Sequence, residues 1–253
     1  LKIAGPLLDG KFNVYDGSDH THPVLSIKNV DDNELRKNVE MLIENKVDFL
    51  KAYEMLSPSQ FKLLTELAKK NNLKLTGHVP LSINVEIASS SGLNSIEHFR
   101  NIELSMTKMT NDLLKERKTI LKNKSALRGA SLRSLLHNKQ RMRSIYNLDS
   151  SKIKNVVDIL AKNDTWQIPT LKLYKNFASK SYKSKQYDSN LNLLPKNIGE
   201  NWRKSISQLE DNEDKERMDF TKWQSSMVKY MHKKGITFMA GTDTPIGFLV
   251  PGL

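Results

Sequence analysis

The sequence contains no cysteine. Disulfides and thiolate metal sites are therefore excluded, and any metal must be held by histidine, carboxylate or a modified side chain. No apolar run approaches the roughly 20 residues of a membrane span, and no signal peptide is visible. Any such peptide would lie ahead of Leu1, so the compartment stays open. Acidic residues are also scarce, 28 against 40 Lys and Arg, which leaves a net charge of +12. That imbalance raises the question of a nucleic acid or anionic surface as partner. No Gly-x-Gly-x-x-Gly follows any strand, so a dinucleotide fold would lack its phosphate cradle.

What is present suffices for a core: 38% of the 253 residues are hydrophobic. The length allows one large or two modest domains, and an α/β barrel can use it as one. The chain opens without Met in an apolar run, LKIAG, and stops at VPGL. Both ends read as cut, as in a fragment of a longer protein.

Short apolar runs alternate with helical segments, the pattern of βαβ units and a parallel sheet. Strands are predicted at Leu1 to Gly5, Val47 to Tyr53, Leu73 to Val79, Leu93 to His98, Thr165 to Leu171 and Ile236 to Asp243. A Gly/Pro/Asp-rich loop separates the first strand from about Ser26. Asp31 and Asp32 can cap a helix reaching about Lys46. Ser57-Pro58-Ser59 opens a second, and Gly92 closes a short one over 82–91. Residues 99–163 and 172–234 read as polar helical insertions, with no linker between two cores.

The polar residues favour a barrel over an open doubly wound sheet. Lys51, His78, His98 and Asp243 fall at or near the C-terminal ends of four strands, the rim where barrel enzymes assemble their chemistry. Each alone is weak: a strand-end His is more often structural, and Asp243 in Gly-Thr-Asp-Thr could cap a turn. Lys51 is odder, because a desolvated ammonium is costly unless paired or chemically altered. The pair His20 and His22, in DHTHPV, has a spacing that would put both imidazoles on one strand face.

The blocks AGPLLDG (4–10), VDFLKAY (47–53), GHVP (77–80), SIEHF (95–99), NDTWQIPTL (163–171), MHKKGITFMAGTDTP (231–245) and VPGL (250–253) resemble the amidohydrolase superfamily, in its imidazolonepropionase-like and prolidase-like branch. The resemblance implies an α/β fold, a partial TIM (β/α)8 barrel carrying strands three to eight, with the insertions after strands six and seven. Residues 1–253 would then form an incomplete metal-dependent hydrolase domain, without the β-sandwich of the full-length protein. By motif match, Lys51 would carry a CO2-derived carbamate bridging two metals, zinc being most frequent in the family. His78 and His98 would complete the more exposed metal, and Asp243 would bind the buried one and act as general base. The implied reaction is hydrolysis of a C–N bond in an amide, cyclic amide or dipeptide-like substrate by a metal-activated hydroxide.

The family's own His-x-His lies upstream of the AGPLLDG block, in the part expected to be missing, so this chain alone is expected to be inactive or severely impaired. His20 and His22 follow that block; they read as loop residues, or as substrate contacts at the barrel mouth. Tyr53, two residues from Lys51, shares its strand face and reads as a substrate contact or as packing. His137 and His232 have weaker claims, the first in the basic insert and the second on a helix facing solvent or packing.

Residues 115–143 carry ten basic residues against one acidic. The alternative function is a non-catalytic binding protein that uses this run for nucleic acid or an acidic partner. A solvated helical insert packing its leucines on the barrel fits the composition better, since no nucleic-acid module or aromatic-basic interleaving is present. The expected partner is a small-molecule substrate, without nucleic acid or a membrane span, and the full-length form could be a homo-oligomer.

Overall fold

The computed structural model describes residues 1–18, 23–122, 127, 129–209 and 214–252. The chain forms two compact units, one of residues 1–168 and 231–238, the other of residues 169–230 and 239–253.

The first unit begins with β1 (Leu7–Asp9) and β2 (Ser26–Lys28), then α1 (Asp32–Glu44), β3 (Phe49–Ala52), α2 (Pro58–Lys70), β4 (Lys74–Gly77), α3 (Val85–Ser91) and β5 (Ser95–Glu97). Four helices follow: α4 (Ile102–Ser105), α5 (Thr110–Lys122), α6 (Gly129–Tyr146) and α7 (Ser150–Lys162), then β6 (Trp166–Ile168). All strand pairings are parallel, in the order β2-β1-β3-β4 and, separately, β5-β6. Asn94 links the two sheets: its N–H donates to the Leu75 carbonyl at 2.8 Å, and its side-chain oxygen accepts from the Leu75 N–H at 2.9 Å. The result is a mixed α/β fold in which helices cover a parallel sheet.

Local chemistry explains the element ends. Asp31 accepts from the N–H groups of Asn33 and Glu34 and so caps α1. Ser57 and Gln60 form a reciprocal capping box at α2, with Pro58 in the first turn. Gly92 closes α3 in the left-handed conformation. Inside, Leu8, Leu50, Leu75 and Ile96 from four strands are fully buried, with Leu35 and Val39 of α1 and Leu64 of α2 equally excluded from water. Truncating any of these leucines to alanine would cost about 2–5 kcal/mol.

Three expectations are corrected. The first strand runs over Leu7–Asp9 instead of Leu1 to Gly5, whose residues are largely exposed and are tied to Asp48, just before β3, by Lys2 and the Ile3 backbone. β2 lies at the end of a stretch read as loop; Ser26, Ile27 and Lys28 are strand because Leu7, Leu8 and Asp9 pair with them. Ile236 to Asp243 shrinks to one parallel bridge, Gln167 with Phe238.

The second unit holds α8 (Leu171–Ser179), α9 (Lys185–Asn190), α10 (Lys196–Ser207) and most of α11 (Lys215–Lys233), with short 3-10 turns between. Tyr182, Tyr187, Leu191 and Val250 form its own small core, with Trp202 and Phe248 packed against them. Among the described residues no helix is long and apolar enough to cross a membrane.

Candidate metal centre

Three strand ends meet at the candidate site. β3 and β4 pair Lys51 with Thr76 and Ala52 with Gly77, which brings the residues following both strands side by side. Gly77 has φ of +123°, and a Cβ there would run into the carbonyl oxygen of Ala52. Only glycine permits this approach, and it delivers His78, whose N–H donates to the same carbonyl at 3.1 Å. On β5, Glu97 is the last strand residue, and His98 turns into the left-handed region at φ +58°. The His98 N–H donates to the Ile168 carbonyl at 2.8 Å, which anchors the turn to β6.

That turn has a chemical consequence. Adjacent strand residues point to opposite faces, yet ligand atoms of His78, Glu97 and His98 all lie within 4.8 Å of one another. The His78 and His98 rings stand edge to face with centroids 5.1 Å apart. Nε2 of His78 is 3.7 Å from Glu97 Oε2, and Lys51 Nζ is 2.9 Å from the same oxygen.

Burial disfavours the imidazolium form of both histidines. It lowers the pKa of His78 despite the opposing Glu54, and it lowers that of His98 strongly, helped by His78, Arg100 and Lys51. A neutral imidazole is the form a metal accepts. Two such rings and one carboxylate fit a single divalent ion with three protein ligands and an open position. The amine of Lys51, paired with Glu97, accommodates a carbamate only if a cation separates the two anions.

Behind His78 lies a second carboxylate. Glu54, fully buried just beyond β3, accepts from His78 Nδ1 at 2.8 Å on Oε1 and from His137 Nε2 at 2.6 Å on Oε2. Arg100 Nε stands 3.7 Å from Oε1. Burial opposes ionisation of Glu54, but His137, the hydrogen bonds from both rings and Arg100 outweigh it and hold its pKa well below the usual carboxylate range. Burial likewise pushes His137 down to about 3, so the pair is a carboxylate with a neutral ring. The backbone here is pinned: the Tyr53 N–H donates to Leu8, the Leu81 N–H to the Glu54 carbonyl, and the Met55 N–H to the buried carboxylate of Asp9 at 2.7 Å.

Tyr53 is buried, with its ring centroid 4.4 Å from that of His78. Its hydroxyl accepts from Arg133 at 3.0 Å, and burial raises its pKa well above the ordinary value. The structure thus brings together Lys51, Tyr53, His78 and His98 of the residues singled out from sequence. Asp243 belongs to the second unit, exposed and in the left-handed conformation at φ +58°. His20 and His22 lie outside the described residues.

Sequence reasoning missed Glu97 and Glu54, and it placed His137 only in a basic insert. His137 is buried. In the same insert Arg117 is fully buried, bonded to Gln140 at 2.5 Å and to Asn101 at 2.9 Å. The basic run therefore spends part of its charge inside the protein. A signal for this existed: Arg133, His137 and Gln140 are spaced as one helical face.

No family model and no curated protein matches this sequence. Solved structures do match. They include a bottromycin amidohydrolase (TM-score 0.57, 15% identity, 95% of this chain and 46% of the other) and an ochratoxinase from A. niger (TM-score 0.52, 14% identity, 96% and 46%). A further amidohydrolase matches with TM-score 0.51 at 15% identity, over 95% of this chain and 47% of its own. The resemblance to the amidohydrolase superfamily read from the sequence blocks thus holds at the level of the fold. The chain spans about half the length of the structures it matches.

Proposed function

We propose that this chain belongs to a metal-dependent amidohydrolase that cleaves a C–N bond of an amide, cyclic amide or dipeptide-like substrate. The activity is proposed for the whole protein, with this chain supplying strands three to eight of an α/β barrel. The observation that carries the reading is the convergence of His78, His98 and Glu97, whose ligand atoms all lie within 4.8 Å of one another, with Lys51 paired to Glu97 at 2.9 Å. The solved structures similar to this chain include enzymes named amidohydrolases, which supports amide chemistry.

A bound divalent ion, zinc being the leading choice, would supply an activated water near neutral pH and polarise the substrate carbonyl. The protein's own groups divide the remaining work. His78 and His98 would hold the ion as neutral donors, and Glu97 would offer the adjacent carboxylate. Lys51 is the candidate for carbamylation, which would convert a half-buried cation into a further anionic ligand. Asp243 is assigned by its Gly-Thr-Asp-Thr motif to take the proton of the attacking water and return it to the leaving nitrogen. Tyr53, His20 and His22 are substrate-contact candidates.

The test is metal content by mass spectrometry of the purified full-length protein and of Lys51→Ala, His78→Ala and Glu97→Gln. Loss of metal in His78→Ala with the fold intact supports the reading. Unchanged metal in all three variants sinks it.

A further inference from the structure

The helical insert reaches into the candidate metal centre without supplying a ligand. α6 buries Leu132 and Leu136 against Leu81, with Met55 packed on the same cluster, and this seats the helix beside the β3 strand end. From that seat His137 meets Glu54, 83 residues earlier in the chain. The two oxygens of Glu54 are divided between two imidazoles, Oε1 to His78 and Oε2 to His137. A carboxylate held at both oxygens cannot rotate about its terminal bond without breaking one hydrogen bond.

The proton positions follow from the partners. A carboxylate only accepts, so both facing ring nitrogens must carry hydrogen. For His78 this places the hydrogen on Nδ1 and leaves the Nε2 lone pair toward Glu97 and His98. For His137 the hydrogen sits on Nε2. Its Nδ1 is buried with no hydrogen-bond partner among the described residues, which suits a bare lone pair and would strand an N–H. The tautomer of the ring facing the metal therefore depends on the carboxylate, and the orientation of the carboxylate depends on His137.

We infer that His137 is a positioning residue: acting through Glu54, it holds His78 in the tautomer and orientation that present Nε2 to a metal ion. The inference rests on the metal-centre reading. It gives the basic insert a role in the hydrolytic site that is neither nucleic-acid binding nor simple roofing. Partners of this kind behind a ligating histidine typically change metal affinity about 10- to 100-fold when lost.

The experiment measures zinc affinity by chelator competition, together with long-range 15N–1H NMR of the His78 ring in the metal-free protein. It compares the full-length parent protein with its His137→Leu and His137→Gln variants. Leucine removes the donor, whereas glutamine can place an amide N–H near the Nε2 position. The expected result is His78 protonated on Nδ1 in the parent, roughly 10- to 100-fold weaker zinc binding in His137→Leu, and substantial recovery in His137→Gln. A folded His137→Leu that binds zinc within twofold of the parent overturns the role of His137 alone. If His137→Leu does not fold, His137→Gln decides: binding near the parent's supports the role, and a loss as large as that expected for leucine overturns it. A parent protein that binds no zinc overturns the metal reading and this inference with it. His78 protonated on Nε2 in the parent overturns the inference while leaving metal binding to be measured directly.

Discussion

The two nitrogens of His78 face two regions built on different principles. On the Nδ1 side the carboxylate itself is dry: Glu54 is fully buried, His137 nearly so, and one negative charge is shared by two neutral rings with Arg100 nearby. On the Nε2 side the groups are partly open, with Lys51 and Glu97 side chains 26% and 15% exposed and paired with each other. A charge in the first region is held by fixed dipoles and cannot be released without leaving partners unsatisfied. A charge in the second can exchange partners with solvent, which is what a site receiving an ion requires. The difference separates a carboxylate fixed at both oxygens from one open to exchange.

The comparison can be broken most directly at Glu54. Glu54→Ala should lower the free energy of unfolding by about 3–5 kcal/mol in urea titration, because it removes the shared partner of two buried imidazoles. A loss under about 1 kcal/mol would mean that the dry side contributes nothing to stability. Next in size is Gly77→Ala, expected to cost about 2–4 kcal/mol from the positive φ and the collision with the Ala52 carbonyl. Circular-dichroism melting would check it, and an unchanged midpoint would remove the stated reason for glycine there.

The two buried groups His137 and Asp9 should pull the pH dependence of stability in opposite directions. His137 drops from 6.5 to about 3 on folding, so the unfolded chain binds more protons between those values. Its contribution is complete above pH 6.5 and is lost as pH falls toward 3. Asp9 moves the other way: burial, opposed by N–H donors from Val14, Met55 and Gly10, raises it from 3.8 to about 7. The folded state then holds the extra proton, and this contribution declines as pH rises from 3.8 to 7. Urea midpoints across pH 3–8 should show a shallower acid loss in His137→Gln and a steeper rise toward neutrality in Asp9→Asn. Curves parallel to the parent's would contradict both assignments.

The smallest stability effect is expected at Glu97. Glu97→Gln removes a partly solvated pair, a change of about 1 kcal/mol or less, while zinc binding should fall far more. Equal losses at Glu54 and Glu97 would erase the distinction between the two sides.

Much of the fold was legible because caps and apolar runs agree. Asp31, Ser57-Pro58 and Gly92 mark helix ends, and the central strands β3 to β6 lie within the predicted segments. β2 was not legible: Ser-Ile-Lys carries a single apolar residue, and its strand character comes from pairing with β1. LKIAG looked like a strand on composition, yet its residues stay largely exposed and the ladder begins after Pro6. Of the candidate site, Lys51, His78 and His98 were legible because each is a polar residue at or near a strand end. Glu97 was hidden by the period-two rule, which assigns it the face opposite its neighbour until the turn at His98 breaks the alternation. Glu54 and His137 were hidden by distance along the chain, since no local pattern announces a contact across 83 residues.

α6 carries Arg133, His137 and Gln140 on one face, bonded in turn to Tyr53, Glu54 and Arg117. Such a helix is indexed like a key with three cuts. One residue inserted between Arg133 and His137 would turn everything beyond it by about 100°, leaving the first cut engaged and the other two facing the wrong wards. Length changes should therefore be refused within this helix, which makes the insert a fixed component of the lock and not a removable cover.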